Sequence, residues 1–244
     1  AINPEDYSFK EAYEHGVTCV CTGPGSANVI GGQFIAMKTY GKRVDDMIVK
    51  EPLAVKAAFG ENPKRVYSNQ KKSPSTRMAT AAKLREALIA AQEYKNKIDS
   101  ADVDEKSKLP ERDLAKEILV DVLEGRLDMK IHCHRADDIF TAIRIAREFG
   151  INFSLEHCTD GWRIVDYLKE ENVRCILGPY LTTRSKIELE NSTIKAPKVF
   201  ADAGVKFAIM TDHPVIPLHY LPVCAAVAVR EGLDETTALK SITI

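Results

Sequence analysis

The sequence holds no apolar run near the roughly 20 residues that a membrane-crossing helix requires, so no spanning segment is expected. Its opening stretch, AINPEDYSFKEAYEHG, is polar and lacks the apolar centre of a secretory signal. The start at Ala1 rather than Met points to a trimmed or partial chain. Charge of one sign is also missing. Lys plus Arg number 34 against 35 Asp plus Glu, a net charge of -1, so nothing points to nucleic acid or to an anionic membrane surface. None of the six cysteines (Cys19, Cys21, Cys133, Cys158, Cys175 and Cys224) forms a CxxC pair, and most lie in apolar runs. They read as free thiols of a reducing, cytoplasmic compartment rather than as a disulfide framework. Internal repeats and low-complexity tracts are absent. What is present is 244 residues, 45% of them apolar, which suffices for a sizeable core in one large domain or two small ones.

The first half of the chain is irregular. Ser8 and Glu11 have the spacing of a capping box before a helix ending near His15-Gly16. Val17–Thr22 is a short β-rich run, Gly23–Gly32 a glycine-rich loop, QFIAMKTY a strand, and Pro52–Gly60 a second apolar run. A long Ala-, Leu-, Glu- and Lys-rich helix is predicted from Thr76 to about Ile98. Residues 99–113 are charged and aperiodic and read as a mobile linker. The next helix is expected between Pro110 and Gly125.

From there the rhythm is regular. Strands are predicted at Met129–Cys133, Asn152–Glu156, Val173–Leu177 and Val205–Met210. Helices follow at Ala136–Phe149, Gly161–Glu171, Pro197–Ala203 and Leu221–Arg230, with another from Asp234. Ile139, Ala142, Ile143, Ala146 and Phe149 form one stripe, and Gly150 and Gly204 stand where a helix must stop. Such units imply parallel strands with crossover helices. The strand ends carry HCH, EHC, GPY and TDH. The glycine-rich loop fails the GxGxxG spacing expected of a doubly wound dinucleotide fold. A TIM-type (β/α)8 barrel is therefore favoured, since residues ending its strands converge at one mouth.

His132, His157 and Asp212 each end one of these strands, and imidazole with carboxylate suits zinc, iron or manganese. Singly, each has an ordinary explanation: a hydrogen-bonded structural histidine, or an aspartate capping the next helix. Their recurrence at one point of the unit favours a metal.

MKIHCHRADDI, LEHCTDG, LGPYLTTRSKIELEN and MTDHPVIP, with PGSANVIGG and VKAAFGENPKR, resemble segments of the amidohydrolase superfamily, above all its imidazolonepropionase-like branch. The resemblance implies that His132, His157 and Asp212 are metal ligands or catalytic groups, and that Lys56 is a lysine that some members carboxylate to bridge two metals. Lys56 reads equally as a side chain snorkelling from a strand edge. His134, read as turned to the side opposite His132, Arg184 in the loop after the seventh barrel strand, and Asn28 in the glycine-rich loop are candidates for substrate contact. Arg135 and Asp138 read as a surface pair. His213 is placed to orient Asp212, and His219 is read as structural. Trp162 and Tyr180 suit either a pocket wall or the core.

The superfamily's first-strand HxH and its β-sandwich are not found in this sequence. The expected fold is thus an incomplete barrel domain over residues 1–244, lacking the first strand and the sandwich, folded but prone to associate as a homo-oligomer. The implied activity is metal-dependent hydrolysis of a C–N bond in a small cyclic amide, imidazolone or peptide-like substrate, with zinc the expected metal. The alternatives are a dinuclear prolidase-like dipeptidase and a catalytically silent barrel, the latter favoured by the missing HxH.

Overall fold

Alternation of polar and apolar residues along the strands decides how this molecule is layered. The computed structural model describes residues 2–101 and 109–243. In chain order its elements are α1 (Tyr7–Glu14), β1 (Cys19–Thr22), β2 (Ile30–Lys38), α2 (Val44–Met47), β3 (Ile48–Ala58), α3 (Glu61–Asn69), α4 (Arg77–Asp99), α5 (Leu114–Leu123), β4 (Asp128–Cys133), α6 (Ala136–Phe149), β5 (Phe153–His157), α7 (Val165–Glu170), β6 (Arg174–Leu177), α8 (Ala196–Ala203), β7 (Phe207–Ile209), α9 (Leu221–Arg230) and α10 (Glu235–Lys240). Of the expected linker, residues 102–108 lie outside the described residues.

The seven strands form one sheet in sequence order. From β3 to β7 every pairing is parallel, as the strand–helix rhythm implies. The β1–β2 and β2–β3 pairings are antiparallel, so the sheet is mixed, and the eight parallel strands expected of a complete barrel are not found among the described residues. The sheet curls: residues of β1 and of β7 line the same cavity.

Register sorts the side chains. Val55, Ala57, Met129, Ile131, Leu155 and Cys175 alternate onto the helix-covered face and are fully or almost fully buried in the main core. Leu84 and Leu88 of α4, and Ile139, Ala142, Ile143 and Ala146 of α6, close that face at helical spacing. Truncating one such leucine to alanine costs roughly 2–5 kcal/mol. Lys56, Lys130, His132 and Glu156 have the opposite parity and line the concave face. The inner wall is therefore polar while the outer wall is apolar.

Local signals mark most boundaries. Thr76 caps α4 through Oγ1, Asp113 caps α5, and Gly150 and Gly204 end α6 and α8 in the left-handed conformation. The cap of α1 is Asp6, which accepts the Ser8 N–H, rather than Ser8 itself. No helix among the described residues is long and apolar enough to cross a membrane. All six cysteines are free thiols.

Candidate metal centre

At the C-terminal ends of β4 and β5 the strands hand three imidazoles to a cavity of about 860 Å³. His132 and His134 are two residues apart, and such residues share a strand face. Their rings stand 4.7 Å apart, which corrects the expectation that His134 turns away from His132. His157 has the parity of the core-facing Leu155, yet its ring lies 4.4 Å from that of His132. Backbone conformation explains this. His157 and the following Cys158 have φ of 70° and 47°, which swings the imidazole off the helix side and into the cavity. Asp212 has a φ of 53°. Such conformations cost a non-glycine residue roughly 1–3 kcal/mol and concentrate at functional sites.

Hydrogen bonds set the ring orientations. His157 donates its Nδ1 proton to the Gly178 carbonyl at 2.9 Å, leaving Nε2 with a free lone pair. Gly178 itself has a φ of 131°, and a Cβ there would meet the Met210 carbonyl oxygen at 2.4 Å, so the acceptor's position requires glycine. His134 Nδ1 lies 2.7 Å from Thr159 Oγ1, and His132 Nε2 lies 3.3 Å from the Asn62 amide nitrogen. The remaining nitrogens, His132 Nδ1 and His134 Nε2, are buried without a hydrogen-bond partner.

The three histidines each offer a nitrogen within 4.8 Å of the others. Burial pushes the pKa of His132 and His134 well down, and that of His157 down to about 3, with neighbouring imidazoles and Lys56 or Lys186 adding to it. Neutral, buried imidazoles with two orphaned nitrogens are the donor chemistry of a divalent transition metal, so these residues fit one.

Lys56 and Asp212 line the same cavity but are not part of the tight nitrogen cluster. Lys56 is buried, and desolvation holds its ammonium below the usual lysine range. Asp212 is half-buried and its carboxyl is raised by burial, against the opposing pull of Lys56 and Lys186. Asn28 is exposed, accepts the Tyr67 hydroxyl proton at 2.7 Å and is not among the lining residues. Arg184 is exposed and is not itself among the lining residues, though it donates at 2.8 Å to the carbonyl of Ser192, which is. His213 is exposed at the rim, and His219 sits 3.7 Å from Glu11. Tyr180 lines the cavity, while Trp162 packs on the core and donates Nε1–H to the Asn191 carbonyl at 3.0 Å.

Several participants were not singled out in the sequence. Glu188 is fully buried, accepts the Glu61 backbone N–H at 2.8 Å and faces His134 Nε2 at 3.6 Å. Lys186 donates to Asn62 Oδ1 at 2.7 Å. Asp138 is not a surface partner of Arg135. It is 3% exposed and accepts from Arg77 Nε at 2.9 Å, while Arg135 pairs with Asp137. A Cβ at Gly60 would meet Glu188 Oε2 at 2.6 Å, so the turn into α3 is cut to fit that carboxylate.

No family model matches the chain. A crystal structure of an amidohydrolase from Thermotoga maritima MSB8 is 43% identical, superposes with a TM-score of 0.96, and is matched over 100% of this chain and 63% of that one. This chain is similar to that amidohydrolase over its whole length. Amidohydrolase tasK of Hapsidospora irregularis is 26% identical over 267 aligned residues, covering 98% of this chain and 27% of that protein. The chain thus spans just under two thirds of the solved relative and about a quarter of the curated one.

Proposed function

We propose that this site belongs to a metal-dependent hydrolase that cleaves a C–N bond of a small amide, in the manner of the imidazolonepropionase-like branch of the amidohydrolases. The observation that carries the reading is the buried cluster of three neutral imidazoles with two orphaned nitrogens at the ends of parallel strands. The names of the two relatives support it.

His132, His134 and His157 would hold the ion, for which zinc is the proposed identity and iron or manganese suit the same nitrogens. A bound divalent ion lowers the pKa of water from ~15.7 towards ~7 and polarises a carbonyl. The chain supplies the rest. Gly178 keeps the His157 ring in the tautomer whose Nε2 is a donor to metal. Asp212, its carboxyl raised by burial, takes the proton from the attacking water and passes it to the departing nitrogen, a role that favours a carboxylate poised nearer neutrality than usual. Lys56 and Lys186 stand beside the reacting region and favour the negative charge that develops on the carbonyl oxygen.

A dinuclear, prolidase-like dipeptidase is the second reading. It rests on Lys56, because a buried lysine held below its usual pKa keeps more free amine to take up carbon dioxide as a bridging carbamate. Metal stoichiometry separates the two: one ion per chain favours the first, two favour the second. A homo-oligomer is the proposed assembly, since β1 and β7 are terminal strands that do not pair with each other, and open edges invite pairing. The free thiols suit a cytoplasmic setting.

The test is hydrolysis of a panel of cyclic and linear amides by the zinc-loaded protein. Release of amine that stops on chelation supports the proposal. A panel without turnover in the fully loaded protein counts against it.

A further inference from the structure

Asn62 stands in the first turn of α3 and lines the cavity. Its side-chain amide has an acceptor end, Oδ1, and a donor end, Nδ2, which carries two protons. Lys186 decides which way round the amide lies. An ammonium can only donate, and Lys186 Nζ gives its hydrogen bond to Asn62 Oδ1 at 2.7 Å. Nδ2 is therefore the end turned to the imidazole cluster, and one of its protons goes to His132 Nε2 at 3.3 Å. Among the described residues nothing accepts the second proton.

This placement is held from two sides. Glu188 Oε2 accepts the backbone N–H of Glu61, the residue before Asn62, at 2.8 Å. Glu188 Oε1 lies 3.8 Å from Lys186 Nζ, an ion pair with a carboxylate that has no exposed side-chain surface. One buried carboxylate thus anchors both the backbone that leads into Asn62 and the lysine that orients its amide. With Lys186 engaged by Glu188 and by Oδ1, what Asn62 adds beside His132 is a neutral N–H rather than a charge. A donor fixed in advance needs no reorganisation when negative charge develops next to it. Every amide carries a matching acceptor, the carbonyl oxygen, whose charge grows as water adds to the carbon. Asn62 Oδ1 is turned to Lys186, so the side chain meets the carbonyl end of an amide and not its N–H end.

We propose that Asn62 is a further catalytic residue, whose second Nδ2 proton is donated in a hydrogen bond to the carbonyl oxygen of the scissile amide, next to His132. Lys186 is then a positioning residue that acts through it. This inference rests on the amide-hydrolase reading, but one arm of its test does not require turnover.

In the zinc-loaded protein, Asn62→Ala should lower kcat by about 10²-fold on any amide that is turned over, the loss that follows removal of one such donor. KM, zinc content and melting temperature should stay close to those of the wild type. Lys186→Met, which frees the amide to flip, should lose part of that rate, and Asn62→Gln, which keeps an N–H, should recover part of it. The second arm follows the side-chain amide of Asn62 by nitrogen–proton NMR, identified by its absence in Asn62→Ala, as the cyclic amide pyrrolidinone is titrated in. One of its two protons should move downfield as the lactam binds, and the other, held by His132, should stay. Where Asn62→Ala loses zinc or melts early, the proton shift in the wild type decides. Wild-type kcat in a zinc-loaded Asn62→Ala, or a bound lactam that moves neither proton, would overturn the proposal and leave the hydrolase reading standing. A shifted proton without turnover of any amide removes the hydrolase reading alone. Neither turnover nor a shifted proton removes both.

Discussion

Glu188 Oε1 lies 3.6 Å from His134 Nε2, and both atoms are buried without a hydrogen-bond partner. The other oxygen of Glu188 is committed to the Glu61 backbone N–H and stands near Arg77. The carboxylate thus joins the start of α3 to the imidazole cluster. Glu188→Ala should destabilise the protein by roughly 2 kcal/mol, because the Glu61 donor is left without its charged acceptor. Glu188→Gln, which retains an acceptor oxygen, should cost less. Denaturant midpoints at constant m-value measure both, and a loss no larger for Ala than for Gln would contradict this role.

Gly178→Ala tests the support of His157. The added Cβ would fall 2.4 Å from the Met210 carbonyl oxygen, and φ is 131°, so the backbone must shift and carry the His157 acceptor with it. A stability loss of about 1–3 kcal/mol is expected, together with weaker zinc binding than in the wild type. Zinc affinity equal to that of the wild type would remove Gly178 from the site.

Acid should unfold the metal-free protein progressively. His157 titrates near 3 in the fold against ~6.5 in an unfolded chain, and His132 and His134 shift the same way. The unfolded state therefore binds more protons between these values, and stability falls as pH drops below about 6.5 towards 3. Replacing the three histidines by Gln should flatten the melting temperature over this window. A profile as steep as that of the wild type would show that other groups drive acid unfolding.

Asp212→Asn should lower the turnover of amides by roughly 10²- to 10⁴-fold, the range for loss of a positioned acid–base group, with zinc content unchanged. Parallel loss of metal and activity would make Asp212 a ligand rather than a proton carrier.

Much of this was legible in the sequence, for identifiable reasons. Gly150 and Gly204 end their helices where left-handed backbone is required, and strand–helix alternation implied the parallel pairing from β3 to β7. His132 and His157 were visible because they recur at strand ends. The partner they share, His134, was misplaced although the spacing of two was in plain view. The antiparallel course of β2 was hidden, since alternation gives a strand's faces but not its direction. Asp138 resembled a surface residue because Arg135 and Asp137 flank it, and only the fold brings Arg77 to it. Glu188, Lys186 and Asn62 were beyond reach, as each acts through a partner on a different loop or helix.

Zinc titration of the metal-stripped protein, with content checked by mass spectrometry, tests the imidazole cluster most directly. The wild type should take up at least one equivalent at pH 7.5, release it as pH falls and protons compete for the nitrogens, and lose uptake when His132, His134 and His157 are all replaced by Gln. Equal zinc binding by the wild type and the triple variant would contradict the assignment of the metal to these three side chains.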